Sequence, residues 1–386
     1  MRHNTFALLI CLLWACGGGN NSEQGALVRI SYQLDTVMVN PGQEILFLNS
    51  RLYSSLLSED KRYLYNFNRN EFAFEKIDLD ELAFKEMLPF SKEGPDGVGE
   101  YFMSLLLLDD AHLLISGYDQ DNICSWDGKR TKHFSFRKVG AGDKDAIKDG
   151  ESFYSPSILP DQPEIFYGIV NSWQEKTNQL MVLDLEHDKA IRMDVPILEK
   201  LSAYDIEFND GQVGAGIGST KFVIYCGGRI LLGGNATSQL YEVDPTTFEW
   251  FSHDYEPEIV PKEKVGKYEN KVSDKKLFES IYKKSGEEIS YLSLVWDEVN
   301  ERYYRFSQLL VFEEGPTKED EFLPQPIGSK VFLCVYDKEL KLIAESLIPE
   351  LNQPLYNKYF AKDGKIWIFE NVEDEMGFIQ MEITSL

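Results

Sequence analysis

The feature that most constrains this chain is a four-stranded unit between Tyr101 and Lys138, near-copies of which recur roughly every 40 to 60 residues. The apolar run 101–108 turns at Asp109-Asp110 and returns as 112–118. Residues 119–122 lead into 123–126, and Asp127-Gly128 turns the chain into 131–136. Such a meander exposes apolar faces that it cannot bury alone, so it must stack on copies of itself around an axis. At 386 residues several domains would be the default from length, but repeat architectures run long as one cooperative unit. The aromatic residues (Tyr 20, Phe 24, Trp 6) favour strands, and a 43% hydrophobic content supplies a large core. The expected fold class is all-β, a β-propeller over residues 27–386.

The same rhythm places four further units. The first has an inner strand within 45–57 followed by 62–67, 71–77 and 84–90. The third runs 154–159, 164–170, 179–185 and 190–195. The fourth runs 221–226, 229–233, 239–243 and 248–253, and the fifth 291–297, 302–312, 330–336 and 340–348. The C-terminal cassette has only three strands, 358–361, 365–369 and 377–383. The orphan strand 27–39 is expected to pair as its outer edge, giving six blades with no open edge. Splitting the fifth unit would give seven blades, two of them with only two strands each.

In such a meander the connections alternate between two rims. On one rim the turns are short, as at 109–110, 127–128, 227–228 and 244–245, and acidic residues such as Asp184, Asp244 and Asp337 reverse the hairpins through local side-chain hydrogen bonds. The other rim carries the long connections 91–100, 138–153, 197–219, 255–290 and 313–329. Function usually rides on long loops held by a rigid scaffold. Within 255–290, residues 273–284 are expected to cap and form one short helix.

The N-terminus reads as an export signal: Arg2, an apolar run over 6–14, and small Ala15 before Cys16. The run is too short to span a bilayer. Leu13-Trp14-Ala15-Cys16 resembles the lipobox of bacterial lipoproteins, although Trp14 departs from the small residues usual there. That resemblance implies a signal at 1–16, lipidation of Cys16, and a flexible tether at 17–26. The alternative is an ordinary secretory signal with an incidental cysteine. The segment Gly94-Pro95-Asp96-Gly97-Val98-Gly99-Glu100-Tyr101 resembles the Gly-Pro-Gly-Glu-aromatic entry of NHL-like six-bladed propellers and of related envelope lipoproteins of Bacteroidota-type bacteria. The resemblance implies a monomeric, lipid-anchored propeller of the cell envelope, at the outer membrane. It is silent on activity, because such propellers include hydrolases, lyases, sensors and binding modules.

With Lys+Arg 39 against Asp+Glu 64, the net charge of −25 repels phosphate backbones, so nucleic acid is excluded as a partner. The expected partners are the membrane through the N-terminal lipid, and an envelope protein or a small ligand at the long-loop rim. Gly-Glu pairs precede several inner strands, placing Glu100, Glu151 and Glu287, with the looser Glu44, around the channel mouth. A carboxylate ring binds calcium, a cationic ligand or a basic loop. Otherwise each glutamate accepts hydrogen bonds from loop amides and fixes a blade junction. Tyr101, Phe153, Tyr154 and Trp173 lie on or beside the same loops and suit a stacking platform for a sugar or peptide.

No catalytic residue is assigned. His112 and His187 fall on the short-turn rim and His133 and His253 in outer strands, so nucleophilic catalysis with a histidine base lacks parts. The leading reading is a binding or interaction module without a cofactor, calcium being the one ion considered. The alternative is a metal-assisted hydrolase or lyase with Glu100 and Glu151 around a divalent ion. The glycine run 211–218 lacks the preceding strand and following helix of a phosphate loop, and residues 119–122 read as a plain turn. Cys124, Cys226 and Cys334 read as buried free thiols.

Overall fold

Antiparallel strands joined by tight turns need only local pairing, and the chain repeats that solution throughout. The computed structural model describes residues 29–386 apart from 119, 173, 316, 319 and 320, so the export signal, Cys16, the tether and Trp173 lie outside the described residues. Six four-stranded antiparallel sheets follow one another along the chain. The first comprises Ser55–Leu57, Tyr63–Asn68, Ala73–Asp78 and Ala83–Pro89, and the second Ser104–Leu107, His112–Ser116, Asp121–Ser125 and Arg130–Phe134. The third is built from Glu151–Leu159, Gln162–Ser172, Thr177–Asp184 and Lys189–Met193, and the fourth from Lys221–Cys226, Arg229–Gly234, Leu240–Val243 and Trp250–His253. The fifth holds Ser290–Asp297, Arg302–Phe312, Pro326–Asp337 and Leu342–Leu347.

The sixth sheet joins the two ends of the chain. Tyr359–Lys362, Lys365–Val372 and Glu375–Ser385 are completed by Ser31–Met38, which lies antiparallel to the last strand with Met38 opposite Gly377 and Tyr32 opposite Ile383. The orphan strand expected from the sequence therefore pairs where it was expected to.

Apolar side chains from neighbouring sheets form the core. Phe67, Phe74, Leu113 and Cys124 pack between the first and second sheets, and Tyr304, Phe306, Ile366 and Ile368 between the fifth and sixth. Leu64 and Ile77 of the first sheet pack on Trp367 and Phe378 of the sixth, so the last sheet shares a core with the first. Arg305 is fully buried between the fourth and fifth sheets, donating to the carbonyls of Leu292 (2.8 Å), Ser238 (2.6 Å) and Gly234 (2.9 Å), with its guanidinium over the Tyr291 ring. Close approach also demands glycine at one turn: a Cβ on Gly227 would lie 2.3 Å from the Tyr303 hydroxyl, which donates to the Gly227 carbonyl. Cys124, Cys226 and Cys334 are buried and free.

The short-turn rim repeats one device. Asp78 accepts from the amides of Asp80 and Glu81, Asp184 from Glu186 and His187, Asp244 from Thr246 and Thr247, and Asp297 from Val299 and Asn300. Four residues after each aspartate a non-glycine residue takes the left-handed conformation: Leu82, Asp188, Phe248 and Glu301, with φ between 49° and 57°. The aspartate satisfies amides that the turn leaves unpaired and so holds that backbone.

The long-loop rim departs from expectation in two places. Residues 197–219, read from sequence as a loop, contain the helix α1 (Pro196–Ser202) and a hairpin of Ile206–Asn209 with Gly214–Ile217, to which Lys271–Val272 adds in parallel. The helix expected at 273–284 is α2 (Lys275–Glu287), capped by Asp274, which accepts from the Leu277 amide. Phe208 of the hairpin stacks on Phe278 of α2 at 4.9 Å, so the two insertions build a satellite core together. Neither could bury its apolar face alone, which hid the pair from a repeat-by-repeat reading. The inner strand expected at 101–108 is confined to Ser104–Leu107, leaving Tyr101 outside it and 76% exposed.

Candidate functional site

The glutamates expected around the channel mouth occupy unlike settings. Glu151 opens the third sheet and is buried, and both carboxylate oxygens are taken by Arg192 of the same sheet at 2.8 and 2.7 Å, one also accepting from the Lys148 amide. The Arg192 guanidinium, more than the amide, holds the carboxyl below the usual glutamate range against the opposing effect of burial. Glu100 is exposed and lies 3.3 Å from Lys92. Glu287 is exposed at the end of α2, and Glu44 lies in the loop before the first sheet, also exposed. Among the described residues no group of three or more His, Cys, Asp or Glu side chains is placed to hold a metal ion. Phe153 packs on Phe136 at 4.8 Å and lies over the backbone of Gly168, where a Cβ would meet its ring at 2.4 Å.

A cavity of about 930 Å³ runs along the inner strands, lined from all six sheets by Leu57, Leu105, Ser157, Ile224, Val295 and Phe360. At its turn-side mouth Lys61 donates to the Trp296 carbonyl (3.1 Å) and pairs with Glu298. Its lining joins these positions to serines such as Ser55, Ser104 and Ser155 and to the charged Lys61, Arg69 and Glu298.

Tyr154 leads to a differently built cavity of about 470 Å³ on the long-loop rim. The inner strand is bulged between Tyr154 and Ser157, with Ser155 left-handed at φ 55°. A bulge of this kind re-aims the neighbouring side chain. The Tyr154 hydroxyl donates to Asn178 Oδ1 at 3.1 Å, and Asn171 Nδ2 donates to the same oxygen at 3.0 Å. Asn178 Nδ2 in turn donates to Ser202 Oγ at 2.8 Å, and that hydroxyl donates to the Leu198 carbonyl of α1. Across the cavity, Lys221 pairs with Asp205 at 2.9 Å and also donates to Ser219 Oγ, while Lys176 pairs with Glu207 at 3.2 Å. Burial, then the Asp205 charge, raises the Tyr154 hydroxyl above its ordinary pKa, so it remains a neutral donor. The charges in this cavity are paired with each other, and what remains for a ligand is a set of amide and hydroxyl groups.

Of the candidate ligand-binding residues marked in the sequence, Tyr154 is the one among the described residues that lies in this cavity. Asn171, Asn178, Ser202, Asp205 and Lys221 carried no signal, because each is an ordinary polar residue until α1 and the hairpin fold beside the third sheet. The glycine run did carry one: Gly216 and Gly218 form part of the wall, where small residues leave room.

A family model described as "Domain of unknown function (DUF4221)" matches residues 28–347. A crystal structure of a member of that family from Bacteroides vulgatus is similar, at 14% identity and a TM-score of 0.62, over 93% of this chain and 99% of the other. A putative exported protein from Bacteroides fragilis is similar at 10% identity and a TM-score of 0.52, over 91% and 96% of the two chains. No curated protein matches the chain in sequence.

Proposed function

The chain belongs to the DUF4221 family, and on that premise we propose that it is a six-bladed β-propeller, lipid-anchored through Cys16 in the bacterial cell envelope, that binds a neutral polar ligand on its long-loop rim. The observation that carries the ligand reading is the Tyr154–Asn178–Ser202 relay facing the internally paired Lys221–Asp205 couple. A lining of amides and hydroxyls, with its charges already balanced, suits a hydroxyl-rich ligand such as a glycan over an ion. The blade count is supported by the six four-stranded sheets and by the core that the sixth shares with the first. The envelope address is supported by the lipobox-like Leu13-Trp14-Ala15-Cys16 and by the similar Bacteroides fragilis protein being described as exported.

Titrating the chain with neutral envelope-type oligosaccharides, followed by thermal unfolding and calorimetry, tests the ligand reading. Tyr154→Phe keeps the ring and removes one hydroxyl. It is expected to weaken binding by about tenfold, the worth of one buried hydrogen bond. Binding that is indifferent to this change would move the site elsewhere. Cys16→Ser is expected to shift the protein from the membrane to the soluble fraction, and retention in the membrane would remove the lipid anchor from the reading.

A further inference from the structure

A second cavity on the long-loop rim, of about 520 Å³, lies on the far side of the same hairpin, with Ile217 forming part of the wall of both. It is bounded by the inner strand Ser290–Asp297, the C-terminal half of α2 and the segment leading into Tyr359–Lys362. In a chain of net charge −25, its lining among the described residues contains two lysines and not one aspartate or glutamate.

The hydrogen bonds leave donors over. Gln308 is 3% exposed, and its Oε1 accepts from the Leu355 amide at 2.7 Å. That bond fixes the orientation of the side-chain amide, so Nε2, which has no acceptor among the described residues, is a committed donor into the cavity. Asn235 repeats the arrangement: its Oδ1 accepts from the Thr220 amide at 3.0 Å, and its Nδ2 has no acceptor among the described residues. Lys358 donates to the Ser55 carbonyl at 2.6 Å and to no carboxylate among the described residues, although an ammonium carries three donors. Lys264 is different. It is 5% exposed and committed to Ser285 near the C-terminus of α2, where a cation stabilises the last carbonyls.

We propose that this cavity is a binding site for a small ligand carrying one carboxylate, held by Lys358 Nζ, Gln308 Nε2 and Asn235 Nδ2, with the ligand body against the rings of Tyr282 and Tyr356. One ammonium with no carboxylate partner among the described residues balances one negative charge, which favours a monoanion over a phosphate dianion. Two amide donors in the same lining suit the two oxygens of a carboxylate, and the cavity volume falls in the range of small-ligand sites. Burial pushes Lys358 down to about 8, the direction expected of an ammonium with no counter-ion, which a bound carboxylate would reverse. This site is separate from the Tyr154 relay, and either can fail without the other.

The test uses the whole chain with sodium glucuronate, sodium phosphate and glucose as probes, read by thermal shift and calorimetry at low salt. In the Tyr154→Phe background, which weakens the other site, glucuronate is expected to raise the unfolding temperature, with glucose giving no shift and phosphate a smaller one. Gln308→Glu keeps the size of the side chain and the acceptor for the Leu355 amide but places a carboxylate in the cavity that Lys358 lines. It is expected to weaken glucuronate binding at least tenfold with unfolding otherwise cooperative, and Lys358→Met to do the same. Tyr154→Phe is expected to leave it unchanged. Equal shifts with glucose and glucuronate in that background, a larger shift with phosphate, glucuronate binding that survives both variants, or no shift with glucuronate would each overturn the proposal.

Discussion

The two rims of the molecule are built by opposite rules. On the short-turn rim one arrangement, an aspartate capping two amides with a left-handed residue four positions on, recurs at Asp78, Asp184, Asp244 and Asp297. On the long-loop rim corresponding residues meet different surroundings. One entry glutamate is buried against Arg192, another lies exposed beside Lys92, and two insertions fold on each other to separate two cavities of different chemistry. Repetition marks where the chain solves the same problem of reversing direction. Divergence marks where the scaffold is free to acquire individual sites.

The sharpest way to break this contrast is at Glu151. Arg192→Met strands a buried carboxylate, and the expected loss is about 3–5 kcal/mol of unfolding free energy, measured by denaturant titration. Because the pair lowers the Glu151 pKa, its contribution is in place above the ordinary glutamate range and is lost as pH falls through the lowered folded value. The difference between wild type and variant should therefore shrink in acid. A constant difference across that range would mean that Arg192 acts by packing and not by charge. On the short-turn rim the effect should be smaller and repeatable: Asp184→Ala is expected to cost about 1 kcal/mol. Asp337, which accepts from the Glu339 and Lys341 amides, caps a turn in another sheet, so the double variant with Asp337→Ala should be additive within about 0.5 kcal/mol. Strong coupling between the two would contradict independent turns. The smallest effect belongs to the exposed pair on the long-loop rim, where Glu100→Gln is expected to change stability by less than about 0.5 kcal/mol. A larger loss would mean that the two entry glutamates share one role after all.

The difference between the rims also explains what could be read from the sequence. Strands such as Lys221–Cys226 and Arg302–Phe312 were legible to the residue, because alternation and an adjacent turn signal are both local. The pairing of Ser31–Met38 with the last strand was legible by counting, since one sheet lacked a strand and one strand lacked a sheet. The Tyr154 cavity was not, because it is assembled from Asn171 and Asn178 of the third sheet, Ser202 of α1 and Asp205 beside the hairpin. No short-range pattern ties these positions together. The Gly-Glu repeat is local in the same way as the strand signals. It marks a common point of entry to the inner strands, while the environment of each carboxylate depends on what lies opposite, Arg192 in one case and Lys92 in another.

The sheet that joins the two ends of the chain bears on the order of events during synthesis. Ser31–Met38 precedes every other described strand in the chain, and its partner Glu375–Ser385 follows them all. During synthesis the earlier strand must therefore wait, unpaired and carrying Tyr32, Leu34 and Val37, until Glu375–Ser385 has been made. Sequence-distant pairing of this kind is slow, and an idle strand is open to wrong partners in the meantime. Five sheets can assemble in the order in which they emerge, but the sixth gains its fourth strand only once Glu375–Ser385 has emerged. Deleting residues 375–386 is expected to leave Ser31–Met38 without a partner strand.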